Sequence, residues 1–76
     1  MRRHEESGSV LGEAVYRFRV RENLTQRALA EKLGISVNTV HMWETGGSVP
    51  SVMSRHRLSE VTGWSMAEIF RMCEQK

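Results

Sequence analysis

The sequence predicts an all-α protein in which five short helices pack around one core. Apolar residues recur at helical spacing without strand-like alternation, and serine or threonine precedes most of these segments while glycine follows them. At 76 residues the chain is long enough for a single small domain. We expect residues 9–76 to form this domain and the charged, aperiodic stretch 1–8 to be a flexible N-terminal arm.

The first helix is predicted to begin after Ser9, whose side chain can cap it. Leu11, Val15 and Phe18 then recur at the spacing of a buried helical stripe. The helix should end near Glu22–Asn23, because asparagine tolerates the left-handed backbone conformation of a helix stop.

The second, third and fifth helices are each predicted to begin with a hydrophobic staple. In this device the apolar residue before the cap packs against the residue five positions further along the chain. Glu68 also completes a capping box, Ser-x-x-Glu, at the start of the fifth helix. The caps, each with its stapled pair, are Thr25 with Leu24 and Leu29, Ser36 with Ile35 and Val40, and Ser65 with Trp64 and Ile69.

Glycine and proline mark the remaining helix boundaries. The second helix, TQRALAEKL, is predicted to stop at Gly34, and the third, VNTVHMWET, at Gly46–Gly47. The composition of GGSVPS is typical of a loop. A fourth helix is predicted to have Pro50 at its first position and to end before Gly63. A fifth should cover about Met66–Glu74.

Composition narrows the class of protein. No apolar run approaches the ~20 residues that a membrane span needs, and the charged start MRRHEESGS lacks the apolar stretch of a signal peptide. Cys73 is the only cysteine, so a disulfide within the chain is excluded. We expect a cytoplasmic protein without a membrane partner. Because so small a domain buries little surface, self-association is its expected stabiliser.

Metal and catalytic chemistry have no basis in the sequence. His4, His41 and His56 are scattered, and no CxxC or HxxxH spacing occurs, so no metal site is predicted. No set of nucleophile, base and orienting residue is present, so the sequence predicts neither an enzyme nor a cofactor. The formal net charge of +2 permits nucleic-acid binding without requiring it.

The second and third helices are predicted to form a helix-turn-helix. Only the tight turn Gly34–Ile35 separates them, and Ala30 is the small residue that faces inward between them. The outer side of the third helix is then free, and the major groove of DNA, about 12 Å wide, accepts one helix. The predicted seam consists of Leu29, Leu33, Ile35, Val40 and Trp43.

The segment LTQRALAEKLGISVNTVHMWETG, followed by VPS, resembles the Cro and phage-repressor type of helix-turn-helix, the XRE family. The resemblance covers about Val10 to Phe70. It implies a lambda-repressor-like DNA-binding domain that acts as a dimer on a near-palindromic, double-stranded DNA operator. Known members include phage repressors, controllers of restriction-modification systems and antitoxins.

The resemblance implies roles for residues that hold the third helix in place. Gln26 matches a glutamine that bonds a DNA phosphate and braces the third helix. Arg19 and Glu44 match a pair that ties the first helix to the end of the third. Thr45 and Gly46 match positions that offer a polar side chain and backbone amides to phosphate.

The resemblance places base reading on the outer edge of the third helix. Val37, Asn38 and Met42 match positions that reach base edges, and Thr39 and His41 flank them. Asn38 is the favoured reader, because an amide presents a donor and an acceptor together, as adenine requires. Val37 can press on a thymine methyl group. The alternative, that Asn38, His41 and Met42 are ordinary surface residues, remains open.

Contacts to the DNA backbone are expected beside this edge. The amides that open the third helix, after Ser36, form a partly positive pole that favours phosphate. Arg27 is a candidate phosphate ligand, and Arg2 and Arg3 of the arm are candidates for the minor groove. The predicted DNA-binding set is Gln26, Arg27, Ser36, Val37, Asn38, Thr39, His41, Met42 and Thr45.

The sequence also departs from the family pattern. The loop GGSVPS lacks the lysine or arginine often found there, and Arg55 and Thr62 replace the usual leucines of the fourth helix. The C-terminal part offers more apolar residues than a small core can cover, which favours a partner surface. These residues are Trp64, Met66, Ile69, Phe70 and Met72.

The functional prediction is a dimeric transcriptional repressor or autoregulator encoded with a phage, plasmid or defence system. The alternative is an antitoxin-like protein-interaction module whose main task is to mask a partner protein. The outer face of the third helix distinguishes them, since only the first role requires it to contact DNA.

Overall fold

The computed structural model describes residues 9–75 and shows five α-helices and no strand in that range. They are α1 (Val10–Arg21), α2 (Gln26–Leu33), α3 (Val37–Thr45), α4 (Val52–Thr62) and α5 (Met66–Glu74). The predicted five-helix, all-α class is confirmed. None of these five helices is both long and apolar enough to cross a membrane. The predicted arm, residues 1–8, lies outside the described residues.

Each helix begins at a capping residue with extended backbone, whose side-chain oxygen accepts a hydrogen bond from the amide three residues later. At α5 the predicted capping box is complete: Glu68 N donates to Ser65 Oγ at 3.0 Å, and Ser65 N donates to Glu68 Oε1 at 2.8 Å. These local bonds satisfy amides that have no partner within the helix. The five caps are Ser9, Thr25, Ser36, Ser51 and Ser65.

The helix ends confirm the predicted stops. Gly34, Gly46 and Gly63 have φ angles of 70°, 84° and 86°, and Asn23, just after α1, has φ 60°. A left-handed backbone costs residues with a Cβ roughly 1–2 kcal/mol, which is why glycine and asparagine occupy these positions.

The predicted start of α4 was wrong by two residues. Ser51, not the residue before Pro50, caps the helix by accepting a hydrogen bond from Ser54 N at 3.3 Å, so α4 begins at Val52. Pro50 is buried ahead of the cap, and its carbonyl oxygen accepts a bond from Arg55 Nε at 3.0 Å. Both proline and serine favour helix starts, and here the serine cap defines the boundary.

All five helices contribute to the core. The predicted seam between α2 and α3 is confirmed, because its members are buried or, in the case of Ile35, packed against the buried cluster. The buried apolar residues are Leu11, Val15, Phe18, Leu29, Ala30, Leu33, Val40, Trp43, Leu58 and Ile69.

The apolar excess predicted for the C-terminal part is mostly absorbed by the fold. Ile69 is fully buried, and Trp64 and Met72 pack against the core. Phe70 remains 53% exposed, with the Arg55 guanidinium 5.8 Å from its ring centre. Arg55 thus lies over an aromatic ring rather than in the core position of the leucine it replaces.

Helix α1 approaches the end of α3 most closely at Gly12. A Cβ there would lie 2.5 Å from the carbonyl oxygen of Trp43 and 2.9 Å from that of Glu44. Gly12→Ala is therefore expected to lower the free energy of unfolding by about 1–3 kcal/mol, because backbone atoms give way only if a helix shifts. Thermal unfolding followed by circular dichroism measures this, and an unchanged melting temperature would contradict it.

Candidate nucleic-acid interface

Helix α3 has one face in the core and one edge in solvent. Val40, Trp43 and Glu44 are buried, whereas Asn38 and His41 are exposed. Three neighbours of Asn38 and His41 in the predicted DNA-binding set are half-buried; they are Val37, Thr39 and Met42. We call Val37, Asn38, His41 and Met42 the α3 edge. Because the opposite face is anchored in the core, the α3 edge is presented on a fixed support.

The first turn of α3 combines a cap with unpartnered helix amides. Ser36 Oγ accepts a hydrogen bond from Thr39 N at 3.1 Å and shares another with Thr39 Oγ1 at 2.9 Å. The hydroxyl groups of both residues therefore support the helix start. The first amides of a helix lack acceptors within it and favour an anion in front of them, so this end of α3 suits phosphate.

Helix α3 ends in a Schellman motif. Gly47 N donates to Met42 O at 2.8 Å and Gly46 N to Trp43 O at 3.2 Å. Thr45 Oγ1 donates to the carbonyl oxygens of His41 and Met42 at 3.1 and 3.3 Å. The Thr45 hydroxyl is thus turned towards its own helix, although the residue itself is exposed.

A buried ion pair fixes the far end of α3 to α1. Arg19 Nε donates to Glu44 Oε2 at 2.6 Å and Arg19 Nη2 to Glu44 Oε1 at 3.0 Å, and Glu44 is only 1% exposed. Arg19 Nη1 also donates to the carbonyl oxygen of Leu24 at 2.9 Å. The predicted Arg19–Glu44 tie is confirmed, with the two-pronged geometry that arginine favours with carboxylates.

Gln26 joins this network through Glu44, a partner that the sequence did not predict. Its Nε2 donates to Glu44 Oε1 at 3.0 Å, so the amide at the start of α2 braces the end of α3. The predicted bracing role is therefore visible. The spacing of 18 residues between the two side chains carries no local signal, which is why only the folded chain reveals the bond.

Positive charge is placed unevenly around α3. Arg27 is exposed beside Gln26, at the start of α2. Arg57, by contrast, donates from Nη1 to the carbonyl oxygen of Leu33 at 3.1 Å and so covers the end of α2. Residues 45–54, which follow the α3 edge, carry no charged side chain. Arg27 is thus the exposed cation at the start of the motif.

The described residues offer little for other chemistry. Within residues 9–75 no three His, Cys, Asp or Glu side chains are grouped so that they could hold a metal ion. Burial raises the pKa of the Cys73 thiol; the Arg55 guanidinium opposes this and the Glu74 carboxylate adds to it. A thiol with a raised pKa stays protonated at neutral pH and is a weak nucleophile.

Comparison with known proteins places this geometry in a family. A family model described as helix-turn-helix matches residues 15–69. No curated protein sequence resembles the chain closely enough to count as a match.

Solved structures of two proteins have the same fold. PlcR of Bacillus thuringiensis, solved with the peptide PapR7 and DNA, superposes with a TM-score of 0.74 at 22% identity over 84% of this chain, which spans only 22% of the PlcR chain. ClgR, a clp gene regulator of Corynebacterium glutamicum, superposes with a TM-score of 0.70 at 25% identity, over 90% of this chain and 72% of ClgR. A second ClgR structure gives a TM-score of 0.65 at 24% identity, over 97% and 92%.

The matched residues include α2, the turn, α3 and α4, together with parts of α1 and α5. Of the two structural neighbours, PlcR was solved in complex with DNA and ClgR is a clp gene regulator. The chain belongs to the Cro/repressor-type (XRE) helix-turn-helix family of DNA-binding transcriptional regulators.

Proposed function

We propose that the protein is a sequence-specific repressor or autoregulator that binds a near-palindromic operator as a homodimer through the α3 edge. The observation that carries this proposal is the exposure of Asn38 and His41 on a helix whose other face is buried. The Arg19–Glu44–Gln26 network supports it by fixing the end of that helix. A rigid helix with a free polar edge is the form that direct readout in the major groove requires.

Base contacts are assigned to Val37, Asn38 and His41 of the α3 edge. Asn38 Oδ1 would accept a hydrogen bond from N6 of an adenine while Asn38 Nδ2 donates one to N7, and Val37 would contact a thymine methyl group. His41 lies one turn further on the same side and is also exposed. Thr39 flanks these residues with its hydroxyl already bonded to Ser36.

Contacts to the DNA backbone are assigned to groups at the two ends of α3. The amides at the Ser36 cap, the Arg27 guanidinium and the Gln26 amide would bind phosphates on one side of the major groove. The end of α3 at Thr45 would contact phosphate on the other side. Phosphate contacts release counterions, so affinity should fall as salt rises, with a slope of about 0.9 per phosphate in logarithmic units. With Arg27 as the exposed cation, a modest slope is expected.

The surface that we assign to the subunit contact follows α3 directly. Val52 and Met53 are 66% and 65% exposed, Val49 is exposed beside them, and no charged residue occurs between Thr45 and Ser54. An uncharged apolar patch can meet its own copy across a two-fold axis without like-charge repulsion. The absence of basic residues also makes this loop a poor phosphate ligand.

Val52→Asp is expected to shift the protein from dimer to monomer, because it places two like charges close together at the proposed two-fold contact. Sedimentation velocity at micromolar concentration measures the change. The matched control is Val20→Asp, which puts the same charge on an exposed valine of α1. Dimers that persist in the Val52 variant and dissociate in the Val20 variant would place the contact elsewhere.

Selection of bound sites from random duplex DNA tests the proposed function as a whole. The expected result is a near-palindromic consensus with half-site centres one helical turn, about 34 Å, apart. A chain lacking residues 1–8 should select the same consensus, since we assign the DNA-binding domain to residues 9–76. If no sequence is enriched, the proposal fails, and stoichiometric capture of a defined partner enzyme would then support the antitoxin-like role.

A further inference from the structure

The side chain of Met42 folds back over the stop of α3. Its terminal Cε methyl group occupies the space in which a Cβ of Gly47 would lie, and its sulfur is 3.5 Å from that same point. Met42 is accordingly half-buried, although its position on α3 belongs to the outer edge. The methyl group thus rests on a glycine instead of extending along the groove-facing side.

The Schellman motif explains why Gly47 is the residue beneath Met42. In this motif the second residue past the helix end usually brings an apolar side chain onto the residue whose carbonyl oxygen it bonds. Here those two positions are Gly47 and Met42, joined by the 2.8 Å bond from Gly47 N to Met42 O. Gly47 has no side chain that could make this contact. The Met42 side chain reaches back to Gly47 instead.

We propose that Gly47 is a specificity-determining residue that acts through Met42: by lacking a Cβ, it lets the Met42 methyl group lie back from the DNA-facing side of the α3 edge. The inference rests on the proposed function, since it concerns the same α3 edge. It assigns base reading to Val37, Asn38 and His41 in the native protein. A side chain at position 47 would displace the methyl group and add an apolar contact at the end of the half-site.

The structure allows this displacement at little cost. Gly47 is exposed and is not among the residues with a left-handed backbone, so alanine can adopt its conformation. The new Cβ would meet only the end of the flexible Met42 side chain, and it would keep an ordinary 3.6 Å distance to Met42 O. At Gly12, by contrast, the obstacles include backbone oxygens that cannot rotate away.

The test compares base preferences of four proteins: the native chain, Gly47→Ala, Met42→Ala and the double variant. Sites are selected from random duplex DNA, and affinities are then measured for single-base variants of the consensus. Gly47→Ala is expected to change the preference at one base pair per half-site by about fourfold, the worth of one methyl group moved into an apolar contact. In the Met42→Ala background the same change should have no effect on preference.

Three further results test the role of Gly47 itself. Without DNA, a nuclear Overhauser effect between the Met42 methyl group and the Gly47 α-protons should appear in the native protein. Ser48→Ala, a neighbouring change in the same exposed loop, should leave base preference and melting temperature unchanged, and Gly47→Ala should preserve the melting temperature.

The outcomes are distinguishable. A native protein that selects a site while Gly47→Ala shows identical preferences overturns the role of Gly47 and leaves the proposed function intact. An effect of Gly47→Ala that persists without Met42 also overturns it, as does the absence of the Overhauser effect. A native protein that selects no site at all overturns the proposed function and the role of Gly47 together.

Discussion

Arg19→Ala is expected to lower the free energy of unfolding by about 3–5 kcal/mol, since it removes the positive partner of a buried carboxylate. The change deletes the bonds of 2.6 and 3.0 Å to Glu44, which is 1% exposed, and the 2.9 Å bond to Leu24 O. Native proteins have a total stability of roughly 5–15 kcal/mol, so this loss is a large share of it and should lower the denaturant midpoint clearly. Denaturant unfolding followed by circular dichroism gives the value.

The matched control lies on the same helix. Arg17 pairs with Glu13 at 2.7 Å, but its side chain is 76% exposed, and the pair spans one helical turn. Pairs of this kind contribute about 0.3–0.5 kcal/mol, so Arg17→Ala should be nearly neutral. Equal losses in the two variants would mean that the Arg19–Glu44 pair is no more important than a surface pair.

Asn38→Ala is expected to weaken binding to the selected operator by about 5- to 150-fold, which corresponds to the ~1–3 kcal/mol that one good amide contact to adenine supplies. Because Asn38 is exposed and the structure gives it no role in the core, the melting temperature should not change. Fluorescence anisotropy at fixed salt measures the affinity, and binding to unrelated DNA should remain the same.

The corresponding control is Gln75→Ala. Gln75 carries the same amide group and is exposed just after α5, beside Ala14 and Trp64 of a groove far along the chain from the α3 edge. This variant should bind the operator as the native protein does. Operator affinity that survives in Asn38→Ala would remove the residue from the proposed base contacts.

Helix boundaries were predictable because their signals are local. Each signal comes from residues within about one helical turn of one another, so it can be recognised in a short stretch of sequence. The signals are a capping serine or threonine, a stapled apolar pair and a glycine with a left-handed backbone. Pro50 was misplaced for a related reason, since proline and the following Ser51 both favour a helix start. Only the geometry shows that the Ser51 side chain makes the cap.

Contacts between distant residues were predictable only where a family pattern supplied them. The Arg19–Glu44 pair was expected from the resemblance, whereas the bond from Gln26 to the same carboxylate was not. The close approach of α3 to Gly12 and the contact of the Met42 methyl group with Gly47 had no sequence signal. Nothing in the sequence distinguishes a glycine that is required by a close contact from any other glycine. Such features depend on how helices pack.

The exposure of individual side chains on α3 was only partly predictable. The helical period places Val37, Asn38, Thr39, His41 and Met42 away from the core, but the structure exposes Asn38 and His41 and leaves Val37, Thr39 and Met42 half-buried. The exposure of Val52 and Met53 was not predictable from the sequence, because valine and methionine in the first turn of a helix are equally typical of a buried core.

The central claim, that the α3 edge reads bases in the major groove, is tested most directly with 7-deazaadenine. This base pairs normally but lacks the N7 acceptor that Asn38 would use. Placed in turn at each adenine of the selected operator, it should reduce native affinity about tenfold at one position per half-site, and have no effect there on Asn38→Ala. Native binding that is unchanged at every position, or a loss that persists in Asn38→Ala, would contradict the claim.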